Sequence, residues 1–412
     1  MEVYKKNKMI KTIKNILNSQ LYAISLYART IAGTIVLFII ARYLSVYDYG
    51  LFSSYKNIAS FCFMLANLGF ADYILVSSKA NHNEVKLKIS LFLINAILIA
   101  ILICLGGNLC NLESKLLFTL VVIRTFFDGT FFALILPYFQ ATKKFNVIAT
   151  INIIYAICIT CIAILSYILK LSLIKFLVLN IVLGFINFIQ CSYYAKINYF
   201  LFINNIKRFF KMLDKSIFAY IGVTIAYYLY AQIPSLYVSI YLPKEQAALY
   251  FSALTIASII SLLLGAQTQK MVPEMIKAST TEVKPIIKNN LIFILSVTFI
   301  VFIFIIIFGK LLLKLLYGQE YYTNGYLVLL ILMFGNIGVA EAAVFGAYIT
   351  ASGNQKMKIP MQLEATAITV LGLAILHKYG IYGASVSYLL AAIYIAIRYT
   401  IKTNQLLKVK QE

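Results

Sequence analysis

The sequence predicts an all-α polytopic membrane protein, with 12 transmembrane helices in two six-helix lobes around a central cavity. Three observations carry that expectation. The 412 residues are 62% hydrophobic and only 12% charged, with mean hydropathy +0.88, whereas a soluble domain is about one quarter charged. The apolar residues fall into regularly spaced runs of spanning length. The basic residues gather in every second connection. So much apolar surface also rules out a disordered chain.

A spanning helix needs about 20 mostly apolar residues. Twelve such runs can be marked, at roughly 17–41, 51–77, 89–107, 116–140, 146–169, 171–193, 215–241, 247–271, 289–309, 325–351, 360–377 and 380–401. The N-terminal "MEVYKKNKMIKTIKNILNSQ" is basic and precedes an apolar run, as in a signal peptide. The run lacks an A-x-A-like cleavage site, so it reads as a retained first span.

The net charge of +22 would suggest nucleic acid on a soluble protein. Here the lysines and arginines lie mostly in short segments between apolar runs, which is a topological signal, so no nucleic-acid partner is expected. One set of alternating connections carries a roughly threefold excess of them, placing both termini in the cytoplasm. The six cysteines include "CITC" at Cys158 and Cys161. With no second pair and two histidines in the chain, that spacing does not make a zinc or redox site. No metal and no cofactor is expected.

The longest connection, "KINYFLFINNIKRFFKMLDK", divides the runs six and six. It reads as an amphipathic surface linker. The domains expected are residues 1–200, a linker over 201–214, and residues 215–412. The halves are alike. "YLSVYDYGLFSSYKNIAS" (43–60) aligns without gaps on "YLPKEQAALYFSALTIAS" (241–258), and "YFQAT" (138–142) on "YITAS" (348–352). Two matches one six-span period apart indicate parallel repeats about an axis along the membrane normal.

Most charges near span ends can reach water by extending their side chains. Glu364, four residues past Pro360, and Asp72 read that way; Lys56 is poised between the two readings. Arg29, Arg124, Asp128 and Glu341 lie deep in their spans, where exposure to lipid costs at least about 2.5–3.5 kcal/mol each. Arg124 and Asp128, four apart in "VVIRTFFDGTFF", share a helix face and can pair. The inner set of Arg29, Lys56 and Arg124 against Asp128 and Glu341 is net positive, which favours a hydrated, mildly cationic cavity. Polar neighbours support it: Tyr22, Ser25 and Gly33 on the face of Arg29, Asn67 on that of Lys56, and Tyr228 and Gln232 before Pro234. Pro137 and Pro234 mark positions where their helices can bend.

"ARYLSVYDYGLFSSY" resembles the first periplasmic hairpin of bacterial Wzx-type polysaccharide repeat-unit flippases, of the multidrug/oligosaccharidyl-lipid/polysaccharide exporter superfamily. "YLPKEQAALYFSALTIAS" is similar to their equivalent hairpin in the second half. "LLYGQEYYTNGYLVLLIL", "YITASGNQKMKI" and "YGIYGASVSYLLAAI" look like their C-terminal lobe. The resemblance implies a MATE-like fold and flipping of a polyprenyl-diphosphate-linked oligosaccharide to the periplasmic leaflet of the inner membrane, for O-antigen (lipopolysaccharide) or capsule assembly. It further implies membrane lipids as partners, together with a polysaccharide polymerase and a chain-length regulator, and no enzymatic activity. Arg29, Lys56 and Arg124 would face the diphosphate, with Asp128 and Glu341 as charge partners or ion-coupling groups. Glu364 departs from the small or amide residues usual there, and its role stays open beside those of Tyr228 and Gln232.

Other readings compete. A drug/cation antiporter of the same superfamily would favour an acidic cavity. A major-facilitator transporter would carry a G-x-x-x-D-R-x-G-R-R-like loop, absent from "SSKANHNEVKLKIS". A membrane polymerase would need a larger periplasmic loop or a catalytic acidic motif. Lipid II flippases carry two further spans.

Overall fold

The computed structural model describes residues 2–67, 82–109, 112–130, 135–136, 138–139, 142, 144–196, 217–260, 267, 271–272, 274–276 and 278–409. Asp72, Pro137 and the expected 201–214 linker lie outside the described residues, as do the side chains of Tyr22 and Asn67. Among the described residues all regular structure is helical, and each expected apolar run holds an α-helix. These are α1 (Glu2–Tyr43), α2 (Val46–Asn67), α3 (His82–Leu109), α4 (Lys115–Thr125), α5 (Phe145–Ile168) and α6 (Leu173–Ala195). They continue as α7 (Ile217–Tyr241), α8 (Lys244–Ala257), α9 (Thr280–Leu316), α10 (Gln319–Ala351), α11 (Lys358–Leu376) and α12 (Gly380–Val409). Among the described residues, six stretches are long and apolar enough to cross a membrane, one of them holding both α11 and α12. The chain is a multi-pass membrane protein.

Helix ends follow local chemistry. Ser114 accepts from the Leu117 amide at 3.3 Å and so starts α4; Ser172 starts α6 in the same way. Ser279 and Glu282 form a capping box at α9, in which each side chain satisfies an amide that the first turn leaves unpaired. The fourth run departs from a single straight helix. α4 ends at Thr125 and passes into a π-helical turn, Phe126–Thr130. Such wider turns are uncommon and concentrate at functional sites.

Two compact units are formed. Unit 1 comprises residues 1–43 and 59–217, and unit 2 residues 44–58 and 218–412. In unit 1, α1 lies along α5, α5 along α6, and α4 against α3 and α6. Ala32, Val36 and Ile40 of α1 are buried at four-residue spacing, matched on α5 by Ala149, Asn152, Ala156, Ile159 and Ala163. The opposite face of α5 exposes Ile154, Ile157, Ile164 and Ile168. A helix apolar on both its buried and its exposed face suits a lipid surround.

Unit 2 is built on α10, which contacts α8, α9 and α12, while α11 lies along α12. Small residues set the α10–α12 approach. A Cβ on Gly338 would stand 2.9 Å from the Ala392 carbonyl oxygen, the close backbone contact that membrane helices reach through small side chains. The first part of α2 joins this unit. Gly50 lies so near α8 that a Cβ would fall 1.7 Å from the Lys244 carbonyl oxygen. Asn57 Nδ2 donates to Ser239 Oγ at 3.0 Å, and Tyr49 meets Tyr317 and Tyr321 edge-on at centroid distances of 5.8 and 6.1 Å.

Candidate functional site

The buried stripe where α1 meets α5 is apolar over most of its length and turns polar at one level. On α1, Ser25 and Arg29 sit one turn apart, on the side that continues through Ala32 and Val36. On α5, Asn152 and Tyr155 are three apart and buried. Asn152 Nδ2 donates to Ser25 Oγ at 3.3 Å, and its Oδ1 accepts from Arg29 Nη1 at 3.4 Å.

The π-helical turn brings Asp128 to the same place. Arg29 Nη2 lies 3.8 Å from Asp128 Oδ1 and donates to the Asp128 backbone carbonyl at 3.1 Å. Arg124 Nη2 lies 3.7 Å from Asp128 Oδ2. The Tyr155 hydroxyl donates to Asp128 Oδ1 at 2.6 Å. Its ring lies under the Arg29 guanidinium, with the guanidinium carbon 3.9 Å from the centroid. Phe176 of α6 stands 5.9 Å from the guanidinium carbon of Arg124.

Two arginines therefore share one carboxylate, and the cluster carries a net charge of +1. The arginine side chains are 9% and 6% exposed and that of Asp128 is 33% exposed. An isolated charge at this depth costs several kcal/mol. The cluster offsets that cost by ion pairing, by cation–π contact and, at Arg29, by the accepting oxygens of Asn152 and the Asp128 backbone. The Arg29 guanidinium, held flat on the Tyr155 ring and hydrogen-bonded, presents the kind of paired N–H donors suited to phosphate or carboxylate oxygens.

Of the residues singled out from the sequence, Arg29, Arg124 and Asp128 meet directly. Lys56, Glu341, Glu364, Tyr228 and Gln232 belong to unit 2. There Glu341 of α10 accepts from Thr400 Oγ1 of α12 at 3.0 Å. Glu364 lies on α11, with its side chain 40% exposed. Its carboxylate pairs with Arg398, whose Nε lies 3.0 Å away, and accepts from Arg398 Nη2 at 3.2 Å and from the Tyr394 hydroxyl at 2.5 Å. Lys56 is half-buried on α2. Tyr228 stands edge-on to Tyr227 at 5.2 Å, and Gln232 is half-buried two residues before Pro234, within α7.

Asn152, Tyr155 and Phe176 were not anticipated. The signal was present: an Asn and a Tyr three apart inside an apolar helix mark a face with polar work to do. Choosing their partners requires knowing that α1 lies along α5.

This arrangement of helices defines the class. The fold matches the lipid II flippase MurJ in an inward closed conformation, with TM-score 0.69, 15% identity, 93% of this chain and 87% of that one. It also matches an inward-facing multidrug resistance MATE transporter of the MOP superfamily, with TM-score 0.66, 12% identity, 93% and 95% coverage. A MOP superfamily transporter from Pyrococcus furiosus, described as having a binding pocket of reverse polarity, matches with TM-score 0.64, 12% identity, 97% and 96% coverage. No curated protein sequence matches the chain. The fold is thus that of MOP superfamily transporters. A family profile described as "Polysaccharide biosynthesis protein" matches residues 16–279, well over half of the chain. The protein belongs to that polysaccharide biosynthesis family.

Proposed function

We propose that the protein flips a polyprenyl-diphosphate-linked oligosaccharide repeat unit from the cytoplasmic to the periplasmic leaflet of the bacterial inner membrane, for O-antigen or capsular polysaccharide assembly. The observation that carries this reading is the Arg29–Asp128–Arg124 cluster, two buried cations on one carboxylate. A diphosphate outcompetes a single carboxylate for two guanidinium groups, because it offers more oxygens and more charge. Asp128, the most exposed of the three, holds the arginines in place until the anion arrives. Lys56 serves as a further cation, and Glu341 as a charge partner or ion-coupling group. Tyr228 and Gln232 of unit 2 are further candidates for cargo contact.

The same reading makes the chain a transporter rather than an enzyme. It has two six-helix lobes, 1–200 and 215–412, joined by a 201–214 linker, and both termini are cytoplasmic. A polysaccharide polymerase and a chain-length regulator act beside it. Membership of a polysaccharide biosynthesis family supports the cargo class. The net positive cluster disfavours the alternative of a drug/cation antiporter.

The test is deletion of the gene followed by analysis of polyprenyl-linked sugars. Accumulated single repeat units with lost surface polysaccharide are expected. Unchanged surface sugar with altered drug sensitivity would assign the protein to antiport instead.

A further inference from the structure

A second site lies at the end of unit 1 away from this cluster, where α6 finishes and α5 begins. A cavity of about 660 Å³ opens there, lined by Lys144, Phe188, Ile189, Tyr193, Tyr194 and Lys196 among others. We propose that it binds the phosphate headgroup of an anionic phospholipid, with one acyl chain running down α6. The inference needs only that the chain spans a membrane; it does not depend on the identity of the cargo.

The two lysines select an anion. Lys144 and Lys196 both line the cavity, and among the described residues neither has an acidic partner. Lys144 is also the N-cap of α5 and makes no side-chain cap hydrogen bond there. The first amides of α5 follow Lys144 directly, and the C-terminal carbonyls of α6 lie at the same cavity, so the two helix ends offset each other and the two lysines carry the positive charge. A second groove of about 270 Å³ begins at this helix start, at Asn146 and Val147, and shares Tyr194 with the first. Lys144 is held in position: its Nζ donates to the Tyr194 carbonyl at 3.2 Å and stands 5.7 Å from the Tyr138 ring centroid. Lys196 is turned by a left-handed backbone, φ 51 and ψ 47.

Two features select a lipid over free phosphate. The cavity walls include Phe188 and Ile189. From Ile189 an exposed apolar stripe continues along α6 through Ile186, Phe185, Val182, Leu179 and Val178, a track of roughly 16 Å at the helical rise, about one leaflet of hydrocarbon. Tyr193 and Tyr194 stand edge-on at 5.5 Å beside the lysines, in the amphipathic role that tyrosine takes at headgroup level.

The chain has no tryptophan, so one introduced residue is a sole reporter. Tyr193, 77% exposed, is replaced in the full-length protein by Y193W. The protein is placed in vesicles of dibrominated phosphatidylglycerol or dibrominated phosphatidylcholine, and quenching gives the relative association constant. An I300W variant on the exposed face of α9 is the annular control. A preference of about thirtyfold for phosphatidylglycerol is expected at position 193, from about fivefold per lysine near an anionic surface. A ratio near one is expected at position 300. K144Q/K196N should bring the first ratio close to one, with asparagine chosen because it tolerates the left-handed backbone. If Y193W fails to fold, F188W takes its place. Equal quenching by the two lipids would overturn the proposal, and so would a preference that survives the double variant. So would no quenching by either lipid, which would mean that protein covers the cavity, or loss of the preference in millimolar inorganic phosphate.

Discussion

Arg29 and Tyr155 meet face to face, the guanidinium carbon 3.9 Å from the ring centroid, while the hydroxyl of the same ring donates to Asp128 at 2.6 Å. One tyrosine thus contacts both charges of the Arg29–Asp128 pair. These three residues come from three separate segments, α1, α5 and the π-helical turn. Removing the ring and removing only its hydroxyl should therefore have different consequences.

Y155F keeps the cation–π contact and loses one hydrogen bond to a charged group. It is expected to destabilise by about 1.5–3 kcal/mol and to reduce export partially. Y155A loses both contacts and leaves a gap, and is expected to be worse on both counts. Thermal unfolding in detergent and surface polysaccharide in a deletion strain report the two effects. Equal export by Y155A and wild type would remove Tyr155 from the site.

Arg124→Ala, at normal membrane levels, is expected to abolish export, while Arg124→Lys retains part of it. Lysine keeps the charge but not the paired N–H geometry. Full complementation by the alanine variant would detach Arg124 from the cargo.

Asp128 holds the two arginines together. D128N leaves both buried without a counter-charge and is expected to cost about 3–5 kcal/mol of stability, seen as a lower melting temperature. D128E should recover most of it. An unshifted melt for D128N would mean that other groups neutralise the arginines.

Exposure separates the members of the cluster. In a variant lacking the native cysteines, D128C should react with a water-soluble thiol reagent, because the Asp128 side chain is 33% exposed. R124C should react far more slowly, since that side chain is 6% exposed. Equal protection of both positions would make the cluster a sealed structural pair.

Glycine contacts in unit 2 predict a graded series. G50A places a methyl group 1.7 Å from a backbone oxygen, which cannot move aside as a side chain can, and should lower membrane levels severely. G338A, at 2.9 Å, should cost about 1–3 kcal/mol as an overpacked contact. By contrast, the Glu364–Arg398 pair, with both side chains 40% exposed, contributes about 0–1 kcal/mol. E364Q should leave both folding and export near normal. Loss of export at normal levels would bring Glu364 into the transport machinery.

Much of this protein was legible without coordinates. Apolar runs of spanning length and charge-bearing connections determine a polytopic helical chain, because a bilayer accepts only backbones that satisfy their own hydrogen bonds. Arg29, Arg124 and Asp128 stood out for the same reason, since charges inside apolar runs carry a large solvation penalty. The sequence also showed a sensible pairing for Arg124 and Asp128 along one helix. What it could not show was the second arginine on the same carboxylate, the tyrosine between them, or the π-helical turn that presents Asp128. Nor could it show that the first part of α2 joins unit 2 through Gly50 and Tyr49. Those features depend on which helix lies along which. In lipid, apolar faces are nearly interchangeable partners, so the choice falls to close backbone approaches and buried polar contacts that exist only once the helices have assembled.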